Sequence, residues 1–274
     1  MIGSAPSRRT LLGSIAGAGL LAMAAPARAA GAIKHYILVE LLPGVDQLAL
    51  DRWYMTYHAP EVRRAYQAWQ RNYVSFRSYL PPEEARTRFG VGYGRMTEIH
   101  FDAIDDFRES RRNSLYGDNL ESFTPPPGGW AKNRLFRSTT ATISTNPDRL
   151  FLSQPTPPRD LPYIRWILFQ CYPPGVAVDE GEAWFEAVHA PQLAALPGLR
   201  RFARYKVLGE RSPFTRVTEL WFDDYAQWRT AFLGPPPIFT PPPWGGDFPY
   251  SETKSMFIGE RPDIDFIHDE RVIP

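Results

Sequence analysis

Three segments of this chain occur twice, in the same order. Trp53-Tyr54-Met55-Thr56-Tyr57-His58-Ala59-Pro60 recurs as Trp184-Phe185-Glu186-Ala187-Val188-His189-Ala190-Pro191. Met96-Thr97-Glu98-Ile99-His100-Phe101-Asp102 recurs as Val217-Thr218-Glu219-Leu220-Trp221-Phe222-Asp223. Phe123-Thr124-Pro125-Pro126-Pro127 recurs as Phe239-Thr240-Pro241-Pro242-Pro243. The spacings between partners shrink along the chain from 131 to 121 to 116 residues, which reads as a duplication with two short deletions in the second copy. A repeat of roughly a hundred residues is a small domain rather than one turn of a solenoid.

Each copy carries the same alternation of patterns. In copy one, His35–Leu41 is a β-branched and apolar run closed by Pro43-Gly44. Helical spacing follows from Leu48 to Ala68, with Pro60 expected to break or kink it just after His58. Strands are expected at Tyr73–Leu80, Arg95–Phe101 and Leu135–Ile143. A helix is expected at Ala103–Asn113, with Asp102 as its N-cap. Copy two repeats this as Ile164–Tyr172, Asp179–Leu196, Arg201–Val207, Arg216–Phe222, Asp224–Phe232 and Thr253–Ile258. The order βαββαβ is the ferredoxin-like unit. One such unit leaves a sheet face bare, and two units packed face to face bury both. The expected fold class is therefore α+β, two ferredoxin-like βαββαβ repeats forming one α+β barrel within a single chain.

Residues 31–145 and 162–274 are the two expected domains, and the proline-rich stretch 146–161 is the expected linker, a stiff spacer. Residues 1–30 read as an export leader: Ser7-Arg8-Arg9-Thr10-Leu11-Leu12 has a twin-arginine pattern, Gly13–Ala25 is weakly apolar, and Ala27-Arg28-Ala29 offers a cleavage site. Export by that route makes the periplasm the expected location, with no membrane association after cleavage. Without the three leader arginines the formal charge falls from +1 to −2. That is no footprint for a nucleic-acid partner. Cys171 is the single cysteine; it excludes an intramolecular disulfide and reads as an inert buried thiol. Five histidines without a His-x3-His or His-Glu-x2-His spacing give no metal expectation. The run Gly90-Val91-Gly92-Tyr93-Gly94 precedes a strand and reads as a flexible loop rather than a nucleotide cradle.

The motif Trp/Phe-Tyr/Phe-x3-His-Ala-Pro, after a Pro-Gly turn and before a second strand, resembles the EthD family of dimeric α+β barrel proteins. That family normally builds its barrel from two chains, and the resemblance covers nearly all of the chain after the leader. It implies a pocket between each sheet and its helices, faced by His58 and His189. Members of the wider superfamily include cofactor-free dehydratases, polyketide cyclases, monooxygenases of phenolic rings and haem enzymes, so fold leaves the reaction open.

An imidazole moves protons near neutral pH without a cofactor. The expected function is a cofactor-independent lyase, eliminating across a small aromatic or phenolic substrate. His58 or His189 would serve as base, Tyr54 or His100 as acid, and Arg77 would hold phenolate charge. Trp53, Tyr73, Glu98, Trp130, Trp184, Glu219 and Trp244 complete the expected substrate contacts. The mid-strand Glu98 and Glu219 need a partner, an imidazole to orient or an arginine to pair with. Trp130 and Trp244 lie in rigid loops able to cover a pocket or close barrel edges. Copy one carries more ionisable groups and is the expected working half. The alternatives are a haem-dependent or cofactor-free oxidoreductase of the same superfamily, and a binding protein for aromatic ligands. Association of two such pseudo-dimers is a further expectation.

Overall fold

A computed structural model describes residues 31–79, 83–113, 123–154, 163–209, 212–234 and 239–268. The leader expected over residues 1–30 lies outside the described residues.

The chain is α+β, with two antiparallel five-stranded sheets of equivalent order. Sheet 1 contains β1 (Ile33–Leu41), β2 (Gln70–Arg77), β3 (Arg95–Phe101) and β4 (Phe136–Ser144). Sheet 2 contains β6 (Ile164–Cys171), β7 (Leu199–Lys206), β8 (Arg216–Phe222) and β9 (Glu252–Gly259). Each sheet gains a fifth strand from outside its own half. β5 (Arg149–Ser153) pairs with β7, and β10 (Ile264–Asp265) pairs with β2. The expected spacer 146–161 is therefore not all spacer. Leu150, Phe151 and Leu152 give it enough apolar surface to serve as an edge strand, while its remaining prolines, 155, 157 and 158, lie outside the described residues.

The halves pack sheet to sheet. Tyr36, Leu38, Phe76 and Met96 meet Ile167, Phe169, Tyr205, Val217 and Met256 in one buried cluster. Strand alternation sends the intervening residues to the helical side. There α1 (Gln47–Trp53), α2 (Ala59–Tyr66) and α4 (Ile104–Asn113) cover sheet 1. The helices α5 (Val178–Trp184), α6 (Ala190–Ala194) and α7 (Tyr225–Phe232) cover sheet 2.

Two expectations about helix ends need correction. Pro60 does not interrupt its helix. Tyr54–His58 forms a π-helical turn, and the Ala59 N–H bonds the Tyr54 carbonyl five residues back. This wider turn relieves the clash a proline ring makes with the carbonyl four residues earlier. The same turn occurs at Phe185–His189 before Pro191. Asp102 pairs with Arg71 at 2.8 Å rather than capping α4, as Asp223 pairs with Arg200 at 2.7 Å in half two. Cys171 is only partly covered, with Sγ 3.6 Å from the Glu252 carboxylate, so the buried-thiol expectation does not hold.

The β-ladders also align the two halves residue by residue between the repeated segments. Arg77 stands opposite Arg95, and Lys206 stands opposite Arg216. Each ladder has a bulge at its start, at Gln70/Asn72 and at Leu199/Arg201. Arg77 is therefore equivalent to Lys206, and Tyr79 to Leu208.

A helix absent from the sequence expectation, α3 (Glu83–Phe89), lies between β2 and β3. It crosses to the other half and places Phe89 among Trp166, Trp228, Phe232 and Phe248. The following glycine run is not a free loop. Gly90 has φ +60°, and a Cβ there would sit 2.2 Å from the Thr253 carbonyl oxygen. Ser255 N–H donates to the Gly90 carbonyl at 3.0 Å, and Gly92 N–H to the Ser255 carbonyl at 3.3 Å.

Candidate functional site

The π turn decides the surroundings of both motif histidines. Residues five apart, splayed in an α-helix, are brought one above the other by an i→i+5 turn. His58 thus stacks on Trp53, with ring centroids 4.8 Å apart, and His189 on Trp184 at 5.2 Å. The Phe-Thr-Pro-Pro-Pro loops complete each enclosure. Phe123 comes to 5.8 Å from His58 and Phe239 to 5.0 Å from His189. Trp130 and Trp244 pack against Trp53 and Trp184 at 5.8 and 5.2 Å. The loops are clasped from the helix: Glu61 accepts from Thr124 N–H at 2.8 Å and from its hydroxyl at 2.5 Å. Gln192 clasps Thr240 at the equivalent place, accepting from its backbone N–H at 3.1 Å and donating a side-chain N–H to its hydroxyl at 2.8 Å.

Burial in these aromatic boxes disfavours the imidazolium. It lowers His58 to about 4, with Glu61 acting weakly the other way. It lowers His189 to about 3, where Arg216 adds to the effect. The Nδ1 atoms of both rings are buried and have no hydrogen-bond partner among the described residues. His58 is half-buried, whereas His189 is 3% exposed.

Of the residues expected beside His58, the structure brings Trp53, Tyr54 and Trp130. Tyr54 lies 5.9 Å away between ring centroids, and its hydroxyl is engaged by Thr97 at 2.6 Å and Tyr73 at 3.4 Å. Arg77 pairs with Asp51, which also receives the buried Arg95 at 2.9 Å. This Asp51–Arg95 pin recurs as Glu182–Arg216 at 2.9 Å. Its repeat at the motif spacings was a signal available in the sequence.

Glu98 and His100 are not brought to His58. They share a face with Met96, pointing between the sheets, whereas Arg95 and Thr97 point to the helices. His100 Nε2 meets Glu98 Oε1 at 2.5 Å, and Lys34 lies 3.5 Å from the same oxygen. In half two, Arg165 and Trp221 donate to Glu219 Oε1 at 2.8 and 2.5 Å. Burial raises the Glu98 carboxyl, but the His100 bond and the charges of Lys34 and Arg165 outweigh it and hold the group at about 2. Glu219 is lowered for like reasons: burial is overcome by Arg165 and Lys34. These groups form a balanced charge cluster joining the halves, and Glu219 takes the arginine-pairing role anticipated for it.

The feature that sequence reasoning missed is a cavity of about 870 Å3 between α4 and the β1–β4 edge of sheet 1. It is lined by His35, Thr140 and Thr142 from the strands, and by Ile104, Phe107, Arg108, Arg111 and Arg112 from α4. Leu208, Gly209 and Ser212 close it from half two. His35 Nδ1 is 2.9 Å from Thr142 Oγ1, and its ring lies 4.4 Å from that of Phe107. Burial, assisted by Arg111, lowers His35 to about 3.

The same volume in half two is solid. By ladder register, Trp166 replaces His35 and Phe257 replaces Thr142. Trp228 and Phe232 stand where Phe107 and Arg111 stand in half one. These rings interlock, with Trp166 4.9 Å from Phe232 and Trp228 4.9 Å from Phe257, and Phe89 plugs the remaining space. The cause is a length difference. The β2–β3 connection, residues 78–94, carries α3 into half two, whereas the shorter β7–β8 connection, residues 207–215, crosses to half one with no helix among its described residues. Both connections anchor alike: Tyr79 N–H donates to the Phe257 carbonyl and Leu208 N–H to the Thr142 carbonyl, each at 2.7 Å.

No family model matches this chain, and no curated protein matches it in sequence. Solved structures resemble it distantly. An anthrone oxidase-like protein aligns over 83% of this chain and 90% of its own, at 11% identity and a TM-score of 0.48. A variant of chlorite dismutase from Candidatus Nitrospira defluvii, in complex with cyanide, aligns over 85% and 91%, at 8% identity and TM-score 0.44. A monooxygenase-like protein from Lactobacillus acidophilus NCFM aligns over 84% and 93%, at 8% identity and TM-score 0.37. Likenesses of this size transfer neither residues nor activity.

Among the described residues, no group of three or more His, Cys, Asp or Glu side chains is placed to hold a metal ion. Haem does not fit the described residues either. The imidazoles of His58 and His189 lie flat on tryptophans within aromatic boxes. The cavity beside His35 meets a macrocycle with three guanidinium groups and three hydroxyls, and with only Ile104, Phe107 and Leu208 as large apolar walls.

Proposed function

We propose that this protein is a cofactor-independent enzyme acting on a small aromatic molecule in half one, with His35 as its proton-transfer group. The supporting observation is the contrast between the halves: equivalent positions line an open cleft of about 870 Å3 in one and form a packed aromatic core in the other. A volume of that size suits a small-molecule site. The reaction we favour is an elimination, a lyase step, on a phenolic or related ring. The EthD-like motif, the origin of the halves by duplication, and export to the periplasm by the twin-arginine route belong to the same reading.

In the tautomer where Nδ1–H donates to Thr142 Oγ1, the Nε2 lone pair of His35 is left to accept a proton from substrate. A neutral imidazole with a pKa near 3 is a weak base. Negative charge on the substrate, placed against Arg111, would offset the guanidinium and raise His35 toward the working range. Arg111 would then stabilise charge developing on the ring oxygen.

The test is turnover of a panel of phenolic compounds by the mature protein, read by mass spectrometry. Loss of general-base catalysis in His35→Ala should lower turnover by about 100- to 10,000-fold, while His58→Ala stays within a few-fold of wild type. The reverse pattern would return the base to His58. Tight calorimetric binding that leaves every ligand chemically intact would make the protein a binding module.

A further inference from the structure

We propose that the half-one cavity takes an extended, peptide-like ligand, which pairs with the free edge of β4 at Thr140 and turns an aromatic side chain into the cavity. This deepens the reading above by naming the aromatic group as one residue of a short amide chain. It rests on that reading for the cavity as a ligand site.

Half two shows the same arrangement with the place filled. Ser255 of β9 serves the segment 89–92 with three groups. Its hydroxyl donates to the Phe89 carbonyl at 2.7 Å, and its backbone N–H donates to the Gly90 carbonyl at 3.0 Å. Its own carbonyl accepts from Gly92 N–H at 3.3 Å. Val91 is thereby bridged to Ser255 in parallel, and the Phe89 ring is buried against Trp166. This is strand addition performed by the protein's own chain.

Thr140 is the counterpart of Ser255. It stands opposite Ile37, as Ser255 stands opposite Leu168, 131 residues after Ile37. In an antiparallel ladder the groups that point away from the partner strand fall on every second residue. The Thr142 carbonyl accepts from Leu208 N–H, outside the β1–β4 ladder, so the N–H and carbonyl of Thr140 point to that same open side. Among the described residues neither has a partner. Thr140 also lines the cavity. Half one therefore presents the same hydroxyl, N–H and carbonyl that hold the segment 89–92 in half two. An edge of this kind is a template for a further extended chain.

The filled half also predicts which chain fits. A Cβ on Gly90 would sit 2.2 Å from the Thr253 carbonyl oxygen, whereas the nearest atom to a Cβ on Gly92 is 3.8 Å away. Thr253 corresponds to Ser138 of β4 by the same register. The ligand residue that follows the ring is therefore glycine, and the position two further on accepts a side chain.

The experiment is calorimetric titration of the mature protein with the acetylated, amidated tetrapeptide Phe-Gly-Val-Gly, the sequence of residues 89–92. It should bind saturably at one site per chain. Its ester analogue, with oxygen in place of the last glycine's N–H, leaves the Thr140 carbonyl unpaired and should bind about 10- to 100-fold more weakly. Alanine for the first glycine should weaken binding by a similar factor, and alanine for the last should leave it within a few-fold. Thr140→Pro removes the outward N–H without breaking a ladder bond and should also weaken the parent peptide. Thermal melts report whether that variant folds, and the ligand series decides the matter if it does not. Absence of saturable binding, or equal binding of parent and ester, overturns the proposal. The two readings fail separately. Peptide binding with this pattern, without turnover of any phenolic compound, leaves recognition standing and removes the catalytic reading. Turnover that depends on His35, with parent and ester bound alike, does the reverse.

Discussion

At the scale of single residues, the two motif imidazoles were visible in the sequence, but their surroundings were not. The repeated His-Ala-Pro pointed to His58 and His189, and the structure closes both within aromatic rings. His35 escaped notice because its counterpart is Trp166, and a search for repeated residues passes over positions where the copies differ. His189 supports a test of burial. Its folded pKa is depressed to about 3, first by burial and then by Arg216. The unfolded chain binds a proton near pH 6.5 and the folded one does not, so this residue's contribution is fully present above 6.5 and is lost as pH falls toward 3. The slope is about 1.4 kcal/mol per pH unit within that window. His189→Phe should flatten urea-derived stability between pH 6.5 and 4 by that amount. An unchanged slope would show that the ring titrates normally in the folded state.

At the scale of elements, strands β1–β4 and β6–β9 and the α4 and α7 helices followed from alternation and spacing, whereas the edge strands β5 and β10 did not. The π turns and α3 did not. A proline inside a helical pattern signals a break, and only the packing of both flanks on one sheet selects the wider turn instead. The helix α3 is too short for its pattern to stand out, with only Ala85 and Phe89 buried. Its weight lies in Phe89, which is fully buried against the rings of half two. Phe89→Ala should destabilise the protein by about 3–5 kcal/mol, read from denaturant midpoints at constant m-value. A loss under about 1 kcal/mol would mean that the aromatic core closes over the gap. The same variant should leave the half-one cavity unaltered, because α3 does not line it.

At the scale of the whole molecule, the halves share one interior. Apolar residues from both sheets form a single cluster, and beside it Lys34, Glu98, Arg165 and Glu219 balance their charges across the interface. Glu219→Ala would leave the buried Arg165 without its nearest anion and should cost about 3–5 kcal/mol. Calorimetry should show one transition for both halves, before and after the change. Two separated transitions would show that the halves fold independently. The sequence by itself determined the repeat, the order of elements, the α+β class and the need to bury two sheet faces, because these follow from local periodicity and from the surface each unit leaves bare. Only the tertiary structure decided which half is hollow. That outcome depends on a connection in one half being long enough to plug the other, and a pattern read within either copy carries no record of what its partner inserts.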